Sequence, residues 1–228
     1  MNTAKTALII GASRGLGLGL VKQLLGDGWQ VTATVRDPQK AQALQALGNV
    51  RIETLDMDDQ HAVIALSQRL KEQTFDLLFV NAGVKGPDDQ RPGQASLAQV
   101  GQLFFTNAVA PINLAQRFVG QIRQGSGVLA FMSSVLGSVT IADAPEMALY
   151  KASKAALNSM TNSFVAQLDG QALTVLSMHP GWVKTDMGGE DAHIDVETST
   201  RGLVQQVNAY AGKGGHHFID YRGETIAW

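Results

Sequence analysis

The sequence predicts an α/β protein built on a doubly wound parallel sheet of about seven strands, with helices on both faces. Short apolar runs rich in β-branched residues recur along the chain, and longer helical patterns lie between them. This alternation is typical of βαβ units, whose strands run parallel. The 228 residues are 45% hydrophobic, which is enough for one sizeable core. We therefore expect a single domain over residues 1–228.

The elements are predicted in alternation along the chain. β-Branched runs indicate strands at Thr6–Ile10, Val31–Val35, Val50–Leu55, Phe75–Val80, Gly127–Met132 and Leu173–Met178. Leu, Ala and Val at three- and four-residue spacing indicate helices at Leu16–Leu25, Pro38–Leu47, Ala62–Leu70, Leu97–Phe118, Leu149–Leu168 and Thr198–Tyr210. Asp37 stands where a cap belongs and Pro38 follows at the first helical position, so the second helix begins there. A short run at Phe218–Asp220 predicts the seventh strand.

Composition excludes several classes of protein. The 18 Lys and Arg against 20 Asp and Glu give a net charge of -2, too balanced for nucleic-acid binding by counterion release. The absence of Cys excludes disulfides and thiolate chemistry, and a reducing cytoplasm is the expected location. No stretch approaches the roughly 20 apolar residues of a membrane span. The five histidines form no metal-like pattern, so we expect no metal site.

Two glycine-containing segments follow predicted strands. Gly11-Ala12-Ser13-Arg14-Gly15-Leu16-Gly17 comes after the first strand and opens the first long helix. Its glycines let the chain turn tightly and let a phosphate approach the positive end of the helix. The spacing is not the common dinucleotide fingerprint, and a turn without a ligand stays as the alternative. Asn81-Ala82-Gly83 follows the fourth strand at the edge where open parallel sheets bind ligands.

Polar side chains that can move protons cluster after the fifth and sixth predicted strands. Tyr150 and Lys154 are four residues apart and share a helix face, where the ammonium would lower the pKa of the phenol. A solvated helix face is the alternative. Ser133 and Ser134 end the fifth strand, and because successive strand residues point oppositely, only one can face this pair. His179–Thr185 follows the sixth strand at the same edge.

The motifs GASRGLG, NAG, SSVLG, YKASK and PGWVKT stand in this order over nearly the whole chain, and in this the sequence resembles the short-chain dehydrogenase/reductase family of the classical type. The segments SSVLGS, HPGWVKTDMGG and FIDYRGETIAW resemble the C-factor and sniffer-type carbonyl reductases within it. The resemblance implies a Rossmann-type oxidoreductase that uses NADP(H) on a small-molecule carbonyl or alcohol substrate, as a homodimer or homotetramer. The alternative is an NADP(H)-binding sensor or signalling protein without physiological turnover.

The resemblance also implies the catalytic roles. Tyr150 would give a proton to the substrate carbonyl oxygen, and Lys154 would lower its pKa and bind the nicotinamide ribose. Ser134 would hold the carbonyl oxygen, and Asn107 in FFTNAVAP would position a water of the proton relay. The spacing from Ser134 to Tyr150 is longer than usual in the family, which leaves Ser133 open for the role.

The implied cofactor contacts come from several segments. Asp56 would recognise the adenine amino group and Thr185 the carboxamide of the nicotinamide. The end of the second strand carries Val35 and Arg36 in place of the acid that binds ribose hydroxyls in NAD enzymes, so Arg36 and Arg14 favour NADPH. The full set is Gly11, Ser13, Arg14, Gly15, Leu16, Gly17, Arg36, Asp56, Met57, Asn81, Ala82, Gly83, Tyr150, Lys154, Pro180, Gly181, Val183 and Thr185.

The segment from Asp186 to Asp195 corresponds to the substrate-binding loop of the family. Its paired glycines predict freedom to move, as a lid requires. Only Trp182, Met187 and Ile194 offer apolar surface there, which predicts a small or medium apolar carbonyl substrate. A surface loop without a role in binding is the alternative, and Trp182 either lines the mouth of the site or packs against a helix.

Overall fold

A computed structural model describes residues 4–168 and 172–228 and contains one sheet of seven parallel strands. The strands are β1 (Thr6–Ile10), β2 (Gln30–Val35), β3 (Val50–Thr54), β4 (Leu77–Val80), β5 (Val128–Met132), β6 (Thr174–His179) and β7 (Gly215–Asp220). Their order is β3-β2-β1-β4-β5-β6-β7. The connections reverse direction between β1 and β4, which places a ligand-binding crevice at the carboxyl ends of these strands. The predicted doubly wound sheet is confirmed.

Helices cover both faces of the sheet. They are α1 (Gly15–Gly26), α2 (Gln42–Gln45), α3 (Gln60–Arg69), α4 (Leu97–Phe104), α5 (Ala110–Phe118), α6 (Ala148–Ala166) and α7 (Val196–Tyr210). Leu20 of α1 and Leu203 of α7 pack with Ile9 in the buried cluster of one face. Leu114 of α5 and Leu157 of α6 share the cluster of the other face with Leu8, Leu78 and their neighbours. Successive residues of a strand thus pack into two separate cores, one on each face of the sheet.

Two predicted helices differ from the observed ones. The segment Pro38–Leu47 forms a tight turn at Pro38–Lys40, capped by the Asp37 side chain, followed by the single turn of α2. Leu44 is the one buried residue of α2, so the segment has too narrow an apolar stripe to hold a longer helix.

The predicted helix Leu97–Phe118 is interrupted by a wider, π-helical turn at Phe105–Val109. Pro111 explains the interruption, because proline has no N–H and its ring crowds the carbonyl group four residues earlier. That carbonyl belongs to Asn107, which lies inside the π-helical turn. The turn therefore gives Asn107 a backbone environment that a regular helix lacks.

The remaining boundaries agree closely with the prediction. Strand β4 is shorter than predicted because Phe75 forms only an isolated bridge with Ile122. Within residues 4–168 and 172–228, no helix has the length and apolar character needed to cross a membrane. The same part of the chain holds no group of three or more His, Asp or Glu side chains placed to bind a metal ion.

Candidate active site

The glycine loop after β1 is held in the crevice by neighbouring strands. Gly11 and Gly15 have φ values of +83° and +52°, in the left-handed region that favours glycine. The Gly11 amide donates to the Thr34 hydroxyl at 3.0 Å, and the Asn81 side chain donates to the Gly11 carbonyl at 2.7 Å. A Cβ atom at Gly17 would collide with that same carbonyl group. Two predicted motifs, one after β1 and one after β4, are therefore parts of one structure.

The N-terminus of α1 is open toward the crevice. Among the described residues no side chain caps this helix, and its first turn carries no acidic residue. By contrast, the Asp59 side chain caps α3 and the Asp195 side chain caps α7. Free N–H groups at the positive end of a helix suit a phosphate group. The loop between Ser13 and Gly17 thus fits a dinucleotide pyrophosphate.

Lys154 of α6 lies beside the carboxyl end of β5 and is only 4% exposed. Its Nζ donates to the Met132 carbonyl oxygen at 2.9 Å. A Cβ atom at Gly83 would lie 3.4 Å from this Nζ, so glycine keeps the space beside the ammonium group free. Burial lowers the pKa of Lys154 to about 8, which leaves it mostly protonated at neutral pH.

Tyr150 lies in the first turn of α6 with a partly buried side chain. Burial raises the pKa of Tyr150 to about 12, and hydrogen bonding with the Ser134 side chain opposes part of this rise. The prediction that Lys154 lowers this pKa is wrong. The Lys154 Nζ lies 5.8 Å from the centre of the Tyr150 ring, and the cost of desolvating a phenolate is larger than its attraction at that distance. The phenol therefore keeps its proton at neutral pH.

The two serines after β5 have different neighbours. The Ser133 hydroxyl is buried and donates to the Asn158 Oδ1 of α6 at 2.8 Å. The Ser134 hydroxyl accepts from the Leu136 amide at 3.1 Å and interacts with Tyr150. Ser134 is therefore the serine beside the phenol, and Ser133 joins the strand to the helix.

Asn107 is fully buried and its side chain is occupied by other groups of the protein. Its Oδ1 accepts from the Val84 amide at 2.8 Å, and its Nδ2 donates to the Val84 carbonyl at 2.8 Å and to the Ser153 hydroxyl at 3.0 Å. Ser153 in turn donates to the Tyr150 carbonyl at 2.7 Å. Asn107 thus links the segment after β4 to the helix that carries Tyr150. Its own carbonyl group has no α-helical donor, since residue 111 is proline.

The predicted adenine-side residues lie at the ends of β2 and β3. Arg36 is exposed directly after β2, and Met57 is 6% exposed after β3. Asp56 accepts from the Asp58 amide at 3.1 Å and is partly buried. Arg14 forms an ion pair with Asp186, and both side chains are largely exposed.

The segment after β6 closes the other end of the crevice. The Pro180 carbonyl accepts from the Ser199 hydroxyl at 2.6 Å, and Val183 is buried in a bridge with Ile194. Gly181 has φ of +84°, and a Cβ atom there would lie 2.7 Å from the Ile194 side chain. Thr185 meets the glycine loop, because a Cβ atom at Gly15 would lie 3.6 Å from its methyl group. Motifs after four strands therefore meet along one edge.

The paired glycines of the Asp186–Asp195 segment have different surroundings. A Cβ atom at Gly188 would collide with the Val183 carbonyl oxygen, whereas Gly189 has open space around it and φ of +79°. The Gly188 carbonyl also accepts from the Trp182 Nε1 at 2.7 Å. Gly188 thus permits a close backbone contact and Gly189 a tight turn, and movement of the segment as a lid stays a prediction.

A pocket of 380 Å³ lies beside this segment. Val135, which directly follows Ser134, forms part of its wall, so the pocket adjoins the polar site. Trp182 is 48% exposed and lines the pocket, which is the first of the two predicted alternatives. The lining residues are Val135, His179, Gly181, Trp182, His193, Ile194, Asp220, Tyr221, Arg222, Glu224, Thr225 and Ile226.

Three residues that support the site were not predicted from the sequence. Thr34 holds the glycine loop, Ser153 connects Asn107 with Tyr150, and Gln90 binds the Tyr150 amide. Ser153 lies inside the YKASK motif, where its spacing from Tyr150 indicates a contact within one helix turn. Thr34 and Gln90 act across 23 and 60 residues, and sequence spacing does not reveal such pairs.

The fold and the converging motifs define an oxidoreductase of the doubly wound α/β class. The family model for short chain dehydrogenase matches residues 5–194, which is most of the chain. The chain therefore belongs to the short-chain dehydrogenase family, as the sequence predicted.

Individual relatives agree with the predicted branch of the family. The chain is 32% identical to the C-signal of Myxococcus xanthus over 154 residues, covering 67% of this chain and 92% of that protein. It is 41% identical to a carbonyl reductase from Pseudomonas aeruginosa PAO1 solved in complex with NADP, with a TM-score of 0.92 and coverage of 99% and 100%. The carbonyl reductase Sniffer of D. melanogaster is 34% identical, with a TM-score of 0.91 and coverage of 99% and 100%.

Proposed function

We propose that this protein is an NADPH-dependent carbonyl reductase, which transfers hydride between the nicotinamide and the carbonyl or alcohol carbon of a small to medium apolar substrate. The observation that carries the proposal is a protonated Tyr150 beside Ser134 at the strand edge, with a buried ammonium group from Lys154 nearby. When bound, NADPH supplies the hydride. The protein supplies the proton and the geometry.

The residues for cofactor binding follow from the open end of α1 and the two guanidinium groups. The N–H groups after Ser13 would hold the pyrophosphate, and Arg14 and Arg36 would bind the 2′-phosphate, which guanidinium binds in a bidentate way. The NADP in the Pseudomonas aeruginosa carbonyl reductase supports this choice of cofactor. Asp56 would recognise the adenine, and Thr185 the carboxamide.

Proton delivery is assigned to Tyr150. Because a pKa of about 12 keeps the Tyr150 phenol protonated at neutral pH, the group would act as a proton donor rather than as a base. Ser134 would hold the carbonyl oxygen next to the phenol. Lys154 would bind the nicotinamide ribose, and Asn107 would offer its carbonyl oxygen to a water that returns a proton.

The pocket next to Val135 supports an uncharged substrate. The Asp220 and Glu224 carboxylates both accept from the Arg222 guanidinium, at 3.0 and 2.8 Å, so these charges satisfy one another. Burial lowers the pKa of His179 to about 4, which keeps this imidazole neutral at pH 7. The pocket has both polar and apolar walls, and its one guanidinium group is already paired with two carboxylates, which leaves it unsuited to a carboxylate substrate.

Carbonyl-dependent oxidation of NADPH tests the proposal. Aromatic aldehydes, aliphatic ketones and 2-keto acids are compared as substrates, with NADPH consumption followed by absorbance. We expect turnover with the uncharged compounds, and a loss of about 10² to 10⁴ in rate for Tyr150→Phe with NADPH binding retained. NADPH binding without turnover on any compound would instead favour the sensor or signalling function, which the similarity to the C-signal makes the relevant alternative.

Assembly and location remain predictions. We expect a homodimer or homotetramer. Leu97 at the start of α4 is 90% exposed in the single chain, and an intersubunit contact would bury such an apolar side chain. Light scattering of the purified protein, with Leu97→Ser as a variant, measures the assembly. We also expect the enzyme to act in the cytoplasm, which fractionation of cells would test.

A further inference from the structure

Gln90 lies in the segment between β4 and α4 and is only 3% exposed. Its Nε2 donates to the carbonyl groups of Lys85 and Pro87, which closes the segment on itself. Its Oε1 accepts from the Tyr150 amide at 2.8 Å, across 60 residues of sequence. Every hydrogen-bonding group of this buried amide side chain is thus used, and one of its partners is the backbone of the residue assigned as proton donor.

The Tyr150 amide needs a partner from outside its own helix. It belongs to the first turn of α6, where N–H groups have no acceptor within the helix. Met147 at the cap position contributes no side-chain hydrogen bond, and among the described residues Gln90 takes the place of a cap for this amide. A first turn without such a partner opens more readily, and the Tyr150 side chain would move with it.

The carbonyl group of Tyr150 is held from the same segment by a second route. Ser153 donates to it at 2.7 Å, Asn107 donates to Ser153 at 3.0 Å, and Asn107 binds both backbone groups of Val84. The chain between Val84 and Gln90 therefore connects to both backbone polar groups of Tyr150, the N–H directly and the C=O through Asn107 and Ser153. All the side chains in these two routes are buried.

We propose that Gln90 is a positioning residue, which fixes the first turn of α6 so that the Tyr150 phenol stays in place for proton transfer. The inference rests on the proposed role of Tyr150 as the acid. Gln90 does not contact the reacting atoms, so its effect acts through the Tyr150 backbone. Since a displacement of about 1 Å in a reacting group can reduce a rate about 10²-fold, a loosened turn would lower kcat.

Gln90→Met tests the proposal, because it keeps the length of the side chain and removes its hydrogen bonds. We expect kcat to fall about 10-fold or more with an apolar ketone, while the NADPH dissociation constant changes little. Gln99→Met is the matched control: the Gln99 side chain also accepts from a backbone amide, that of Ser96 at 2.9 Å, but on the exposed start of α4. The control is expected to keep wild-type kcat.

A double-mutant cycle separates positioning from a general loss of structure. The substitution Gln90→Met is expected to slow the wild type but to leave the residual rate of Tyr150→Phe unchanged, because no phenol proton remains to be positioned. An equal loss in both backgrounds would overturn the proposal. If Tyr150→Phe itself keeps full activity, the proposed role of Tyr150 fails, whatever Gln90 does.

Gln90→Glu covers the case in which the Met variant does not fold. The carboxylate still accepts from the Tyr150 amide but no longer donates to Lys85 and Pro87. We expect it to retain more of kcat than Gln90→Met even where its thermal stability is equal or lower. If kcat falls in proportion to thermal stability in both Gln90→Met and Gln90→Glu, Gln90 has only a structural role and the assignment is wrong.

Discussion

The Ser133 hydroxyl donates a 2.8 Å hydrogen bond to the Asn158 Oδ1 in the buried contact between β5 and α6, whereas the next residue, Ser134, faces Tyr150. Neighbouring serines therefore stand at a structural contact and at a candidate catalytic position. A hydroxyl deleted from a buried pair leaves its partner unsatisfied, while a hydroxyl deleted beside the reacting oxygen removes stabilisation of the transition state.

The two alanine variants should separate these effects. We expect Ser133→Ala to lose about 1–3 kcal/mol of unfolding free energy with little change in kcat. We expect Ser134→Ala to lose about 10² to 10³ in kcat, with a loss of about 1 kcal/mol of unfolding free energy from the bond to the Leu136 amide. Urea unfolding and steady-state kinetics on the same preparations measure both. The reverse ranking in kcat would assign the carbonyl contact to Ser133.

Arg36 is predicted to select NADPH. It is exposed directly after β2, where the 2′-phosphate would lie, and Val35 ends the strand in place of an acid. We expect Arg36→Ala to weaken NADPH binding about 10-fold or more and to leave NADH binding nearly unchanged, since a charge-assisted bidentate contact is lost. Arg51→Ala removes the same charge near the start of the neighbouring strand β3, toward the amino ends of the strands, and serves as the control. Equal effects of Arg36→Ala on both cofactors would refute the assignment.

The parts of the site that sequence predicted are those in which a motif directly follows a strand. Gly11, Asn81, Ser134 and Thr185 each come within a few residues of a strand end, so the parallel sheet alone brings them to one edge. The family order of these motifs then indicated their chemistry. The position of each motif relative to its own strand was sufficient to predict the site, because the parallel sheet brings the ends of distant strands together.

The features that sequence did not predict depend on contacts between distant residues or on burial. The bond from the Tyr150 amide to Gln90 joins residues 60 positions apart, and neither has a pattern that indicates the other. The direction of the Tyr150 pKa was predicted incorrectly because desolvation depends on packing around the ring, which residue spacing does not give. The break at Asn107 was missed although Pro111 is a known signal for one.

The stability of the protein should rise with pH between about 8 and 10.5 through Lys154. Burial lowers the pKa of Lys154 from 10.5 to about 8, so in this range the unfolded chain holds a proton that the folded protein has released. Unfolding then takes up a proton, and the free energy of unfolding increases as pH rises. The penalty for burying the ammonium group is present in full below pH 8.

Comparison with Lys154→Met isolates this effect from other titrating groups. The wild-type free energy of unfolding, relative to the variant, is expected to increase by on the order of 1–3 kcal/mol between pH 7.5 and 10. Urea unfolding at several pH values measures it. A difference between the two proteins that stays constant over this range would mean that Lys154 has an ordinary pKa.

Trp182 is predicted to bind the apolar part of the substrate. Its ring lines the 380 Å³ pocket, lies 4.7 Å from the His193 ring in an edge-to-face arrangement, and donates from Nε1 to the Gly188 carbonyl. We expect Trp182→Ala to raise KM for an aromatic ketone about 10-fold, through lost apolar contact, with NADPH affinity unchanged. Trp182→Phe keeps an aromatic face but loses the bond to Gly188, so it should retain most of the affinity if the contact with substrate dominates.

Trp228→Ala is the control for this prediction. Trp228 is 41% exposed and packs on His216 and Phe218 of β7, and it is not among the residues that line the pocket. It should leave KM unchanged even if it lowers stability. If Trp182→Phe raises KM as much as Trp182→Ala does, Trp182 acts by anchoring the Gly188 turn. If neither Trp182 variant changes KM for the ketone, the pocket does not hold the apolar group of the substrate. The same conclusion follows if both variants use a 2-keto acid better than an apolar ketone, because the Trp182 ring would then have been restricting a charged substrate rather than binding an apolar one.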